Sequence, residues 1–299
     1  MYMPEFVTSI LLAILTALSL VASAVATVRL RKDDASGILR RLQHSLLGVC
    51  VTGTSLLFVY RTIYVPPQVW QPLGSHVDGL LLIATLFATA VLFVQRATVK
   101  GLTAFALPLL TILLAWSICA SAWTYEPFEI ESVWTKAHKA GVYLGSLFFC
   151  IAAAAGMMYL YIQRRLRRRR RPGPGQHLAS LEATEQLIIR TATLGFALLT
   201  FGLVCGLILV VDTPHTSLGP TWWLSPKVIL AALVWLIYAI VMNVRFATAF
   251  RGTRAAWLSI VGVILIMAIF GVVNTLTDEE DDQPQFVDNK KTEVDVWQH

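Results

Sequence analysis

The chain has 299 residues, of which 56% are hydrophobic and only 14% charged, against roughly 25% charged in an ordinary soluble protein. A mean hydropathy of +0.66 excludes a soluble globular domain. The net charge of +6 comes from too few, too thinly spread residues for a nucleic-acid-binding surface. What this composition describes is a polytopic membrane protein.

Crossing roughly 30 Å of hydrocarbon takes about 20 apolar residues. Eight stretches qualify in chain order: Phe6–Val28, Ser45–Tyr60, Leu80–Val94, Leu102–Trp123, Ala140–Ile162, Leu187–Val211, Val228–Val244 and Ala255–Leu276. The second, third and seventh are short. Leu, Ala, Gly and Thr mixed along these runs suit helices packed closely in lipid, and nothing alternates like a membrane β-barrel. The expected fold is all-α, a bundle of eight transmembrane helices over residues 1–277, followed by an acidic, disordered tail over 278–299.

Basic residues orient the bundle. Arg29, Arg31, Lys32, Arg40, Arg41, Arg96, Lys100, Arg164, Arg165, Arg167 to Arg171, Arg190, Arg245, Arg251 and Arg254 all follow odd-numbered spans, eighteen of the 24 Lys and Arg. By the positive-inside rule that side is cytoplasmic and both termini face outward. Fourteen of the 18 acidic residues fall on the other side. The run Arg164–Arg171 (RRLRRRRR) reads as a stop-transfer signal and a contact for anionic lipid at the inner face. Ala22-Ser23-Ala24 resembles a cleavage site, but Met1–Glu5 has no Lys or Arg, so an uncleaved first helix is expected.

Much chemistry has no residues to carry it. Cys50, Cys119, Cys150 and Cys205 lie within spans without CxxC spacing and read as small buried apolar residues. No phosphate-cradling glycine loop, HExxH or nucleophile elbow occurs. Paired carboxylates within spans, the usual mark of an ion pathway, are lacking. Neither an ion-coupled pump nor a stand-alone enzyme is indicated.

The outer segment Asp212–Lys227 (DTPHTSLGPTWWLSPK) stands out. Trp222 and Trp223 suit two readings. One is an interfacial aromatic belt with Pro226 in the first helical turn. The other is a flat platform for a planar ligand such as haem, with Lys227 beside its carboxylates.

From that segment onward the sequence resembles the cytochrome c assembly proteins of CcsA, ResC and CcmC type, including the HemX-like accessory branch. That family has a WxWDPK segment, a W-L-I-Y helix ending in His-x-Arg, a W-R-G-x-R turn and a last helix ending G-V-N. Trp222, Pro226 and Lys227 match the first element, and Trp235, Leu236, Ile237 and Tyr238 the second. Arg245, Arg251, Gly252, Arg254, Ala255, Ala256 and Asn274 match the remainder. Upstream, His138 precedes a small-residue helix ending Met158-Tyr159-Leu160 and a basic run, like the family's external-histidine helix. Ser180-Leu181-Glu182 leading to Leu198-Leu199-Thr200 resembles the helix that follows. The likeness is strongest over residues 130–275.

The resemblance implies transiently bound b-type haem, presented at the outer face of a plasma or bacterial inner membrane for delivery to apocytochrome c, beside a second membrane subunit of a cytochrome c synthase complex. His138 is the expected iron ligand, since neutral imidazole binds iron well. Trp222, Trp223 and Lys227 complete the cofactor surface, and His76 and His215 are the other outer-face histidines able to contribute. The departures are specific. Leu224 and Ser225 stand where the family has Trp and Asp, and Asn243 replaces the seventh-helix histidine. No histidine follows closely after Asn274. These losses suit the HemX-like alternative, a membrane scaffold or regulator of haem biosynthesis that no longer ligates haem. Tyr238 and Trp235 are expected to pack between helices.

Overall fold

Hydroxyl residues scattered along apolar runs raise the first physical question, because lipid offers no hydrogen-bond partner. In the computed structural model many of them turn back onto their own helices: Thr54 donates to the Cys50 carbonyl at 2.8 Å, Thr111 to Leu107 at 3.0 Å, Ser146 to Val142 at 2.7 Å and Thr191 to Leu187 at 2.7 Å. The structure describes residues 3–31, 37–64, 76–97, 99–123, 132–168, 179–212, 224, 226–243 and 252–281. All regular structure among them is helical: α1 (Met3–Arg31), α2 (Ile38–Tyr64), α3 (His76–Ala97), α4 (Thr103–Trp123), α5 (Val133–Arg167), α6 (Leu181–Asp212), α7 (Pro226–Asn243) and α8 (Thr253–Asp281).

Each predicted span falls on one helix, and the two expected to be shortest, α2 and α3, are longer than hydropathy alone indicates. The extra turns of α2 carry Arg40, Arg41 and Arg61, charges that end a hydropathy run without ending a helix. Among the described residues, α1 to α6 are long and apolar enough to cross a membrane. The apolar parts described in α7 and α8 are shorter, Ala231–Ile240 and Thr253–Ala268. Helix α8 continues to Asp281, and the remainder of the acidic tail lies outside the described residues.

Turn chemistry closes the helix ends. Ser132 caps α5, its hydroxyl accepting from the Thr135 N–H at 3.1 Å, and Ser180 does the same for α6 through Ala183 at 3.1 Å. Gly252 opens α8 with φ of 74°, where a Cβ would also meet the Tyr159 hydroxyl at 2.6 Å.

The helices form two groups of four. In the first, α1 packs on α2 and α4, and α3 on α2 and α4; in the second, α5 packs on α6 and α8, and α7 on both α6 and α8. Contacts of α5 with α3 and α4, and of α4 with α8, join them. Helix α5 is the centre, buried over most of its length because small residues cover several of its sides. Gly141 and Gly145 face Gly195 and Gly202 of α6, and Gly156 faces Ala256 and Ser259 of α8. Phe149 stacks on Tyr238 of α7, ring centroids 3.4 Å apart and planes 16° from parallel. Trp235 lies against Phe196 and donates Nε1–H to the Thr200 hydroxyl at 3.0 Å, so both aromatics of the W-L-I-Y run pack between helices as expected. Cys50, Cys150 and Cys205 are buried, as read from sequence, whereas Cys119 points outward from α4. Hydropathy marks a residue as within a span without saying which way it points.

Candidate functional site

The first turns of α3 and α5 lie at one end of the bundle with the last turns of α2 and α6. Arg61 near the end of α2 pairs with Asp78 at the start of α3, Nε to Oδ1 at 2.5 Å, both side chains largely buried. From sequence these are loop charges; in the structure they form a buried ion pair holding two helices together. The Tyr143 ring on α5 lies where a Cβ on Gly79 would otherwise stand.

His138 sits in the second turn of α5, against the end of α6. Its Nδ1 lies 2.7 Å from the carbonyl oxygen of Gly202. A carbonyl only accepts, so Nδ1 carries a proton and donates it, and Nε2 is the ring nitrogen left for another partner. The ring fits because Gly206 has no side chain: a Cβ there would approach Nδ1 to 2.8 Å and Cε1 to 2.9 Å. His138 thus continues the seam formed by Gly141 and Gly145 on α5 and Gly195, Gly202 and Gly206 on α6, where the backbones come close enough for a side chain to reach a helical carbonyl. A donated Nδ1–H fixing the ring while Nε2 faces a metal is the usual arrangement of a ligating histidine. The donor chemistry therefore fits one axial position of a haem iron.

The other candidates are placed less fully. His76 is the first residue of α3, a helix packed on α5, and Lys227 is the second residue of α7. For both, the backbone alone is described. Trp222, Trp223 and His215 lie outside the described residues. Among the described residues, no group of three or more His, Cys, Asp or Glu is assembled for a metal. His44 is half-buried on α2, with Nδ1 2.6 Å from the Arg40 carbonyl. Asn243 ends α7. The residues that sequence reasoning missed are Gly202 and Gly206, which hold His138. Their four-residue spacing, repeated by Gly141 and Gly145, is the signal that would have found them.

The family model described as cytochrome C assembly protein matches residues 73–278, from just before α3 into the last turns of α8. Among curated relatives, the cytochrome c biogenesis protein CcsA of Prochlorococcus marinus (strain MIT 9303) is 32% identical over 100 residues, 33% of this chain and 30% of that protein. CcsA of Prochlorococcus marinus (strain SARG) is 36% identical over 95 residues, 32% of this chain and 29% of its own length. CcsA of Synechococcus sp. (strain RCC307) is 32% identical over 99 residues, 33% and 30% respectively. The chain thus spans less than a third of the length of these relatives. No solved structure matches. With more than half of its length matched and its long apolar helices, the chain is a multi-pass membrane protein belonging to the cytochrome c assembly protein family.

Proposed function

We propose that this protein handles haem for cytochrome c biogenesis, binding it transiently at the outer face of a cell membrane and presenting it to apocytochrome c. The observation that carries the reading is the Nδ1 contact of His138 with the Gly202 carbonyl, which fixes the ring and leaves Nε2 as the nitrogen that could ligate iron. Haem, when bound, supplies the iron centre and the reactive vinyl groups. The protein's share is to hold and orient it: His138 would ligate the iron, Trp222 and Trp223 would form the platform and Lys227 would pair with the carboxylates. His76 and His215 would be the candidates for a second ligand.

In this reading all eight helices span the membrane, both termini face outward, and the basic inner ends meet anionic lipid. The partner is a second membrane subunit of a cytochrome c synthase complex. Haem absorbance of protein purified in mild detergent, wild type against His138→Ala, tests the proposal. Loss of the haem band in the variant is expected; equal haem in both, or none in either after supplementation, would overturn it.

One observation favours a second reading. Ser225 and Asn243 occupy positions where the family carries Asp and His, which suits a HemX-like scaffold bound to a haem-synthesis enzyme. Co-purification separates the two: cytochrome-maturation components in one case, a cytosolic haem-synthesis enzyme in the other.

A further inference from the structure

Trp134 stands one helical turn outward of His138 on α5. Residues four apart on a helix differ by about 40° in direction and about 6 Å in height, so their side chains share a face. Helical side chains also lean toward the N-terminus, which brings the His138 ring back toward the turn that carries Trp134. The two are nevertheless treated differently by the fold. The histidine is half-buried and tied to Gly202, whereas the indole is 42% exposed and its neighbour Val133 78% exposed. An apolar ring therefore remains open at the bundle end, one helical turn from His138 on the same side of α5.

We infer that Trp134 is a positioning residue for the macrocycle at the His138 site, supplying an apolar contact from the same rigid helix as the axial ligand. This rests on the proposed haem function. Two groups on one helix, a ring nitrogen for the iron and an indole for the tetrapyrrole, fix the ligand's tilt without help from any loop. An aromatic face stacks well on a flat conjugated ring, so Trp134 governs affinity and orientation while His138 governs ligation. An interfacial anchor in lipid, the competing role for an exposed tryptophan, predicts no effect on porphyrin binding at all.

The two roles separate by using porphyrin with and without iron. Detergent-purified full-length protein is titrated with haemin and with iron-free protoporphyrin IX, against detergent alone, following the haem absorbance band and tryptophan fluorescence quenching. Trp134→Ala should weaken both porphyrins about 10-fold while leaving the position of the haemin band unchanged. His138→Ala should shift or abolish the haemin band and leave protoporphyrin binding intact. Trp134→Phe, a milder change should the alanine variant misfold, should recover most of the affinity. Wild-type affinity for both porphyrins in Trp134→Ala, with haemin binding still lost in His138→Ala, would overturn the inference and leave the histidine reading standing. Wild-type haemin binding in His138→Ala would instead overturn the histidine reading and this inference with it.

Discussion

Replacing Gly206 by alanine tests how firmly the glycine seam fixes the histidine. The new Cβ would stand 2.8 Å from Nδ1 and 2.9 Å from Cε1 of His138, where comfortable contacts are about 3.5 Å or more. The ring must retreat by about 0.7 Å, stretching the 2.7 Å contact with Gly202 beyond about 3.2 Å, the outer edge of good geometry. Losing that hydrogen bond costs about 1 kcal/mol, and overpacking adds about 1–3 kcal/mol. An orienting partner lost behind a metal ligand typically lowers affinity about 10–100-fold. Gly206→Ala should therefore lower the detergent-solubilised melting temperature and weaken haemin binding by that factor. Gly48→Ala is the control, because no atom lies within 4 Å of its Cβ position; it should match or exceed wild-type stability, since alanine favours helix. Full haemin affinity with an unchanged spectrum in Gly206→Ala would refute the claim that this contact sets the ligand.

Three further outcomes are expected. Gly79→Ala should destabilise the bundle by about 1–3 kcal/mol by pushing against Tyr143, and a double-mutant cycle with Tyr143→Ala in thermal unfolding should recover part of that loss. Breaking the Arg61–Asp78 pair with Asp78→Asn should cost about 3–5 kcal/mol, whereas replacing both residues by Met and Leu should cost less, because no buried charge is stranded; equal losses would show the pair to be solvated. With the native cysteines replaced, Val133→Cys should react with an impermeant thiol reagent from outside intact cells and Arg168→Cys only after permeabilisation, as the distribution of basic residues requires.

The eight helices were legible because hydropathy and charge act locally. Each apolar run has one helix beneath it, and Ser132 and Ser180 start α5 and α6 with ordinary capping chemistry. What was not legible depends on which residues face each other across helices. Arg61 and Asp78 lie 17 positions apart in the chain, and from sequence each is simply an outer charge. His138 was legible as a candidate through the family resemblance, yet its partner is 64 residues distant and is a backbone carbonyl. No residue type announces that interaction. The glycines announce only that two backbones approach, and it takes the packed pair to show that the approach places a helical carbonyl within reach of an imidazole. Cys119 is the converse case, an apolar-run residue whose outward direction only the packing reveals.

Helix α5 carries the histidine and is also the helix held on the most sides. Tyr143 locks it to α3, Gly141 and Gly145 to α6, Phe149 to α7 and Gly156 to α8. Moving His138 by about one ångström would thus disturb four interfaces, each packed closely enough that single methyl groups count. His138 thus belongs to a closely packed part of the molecule, and Trp134 shares its helix. Under the proposed function, a second contact to haem from His76, Lys227 or the Trp222–Trp223 segment would have to adjust to a geometry that α5 has already set. Leu224, Ser225 and Asn243, where this chain departs from the family pattern, lie outside the α5–α6 seam, so the glycine packing around His138 does not involve them. Under the proposed function, substitutions in the Trp222–Trp223 segment should change how haem is covered and passed on, whereas substitutions in the seam should change where it is held.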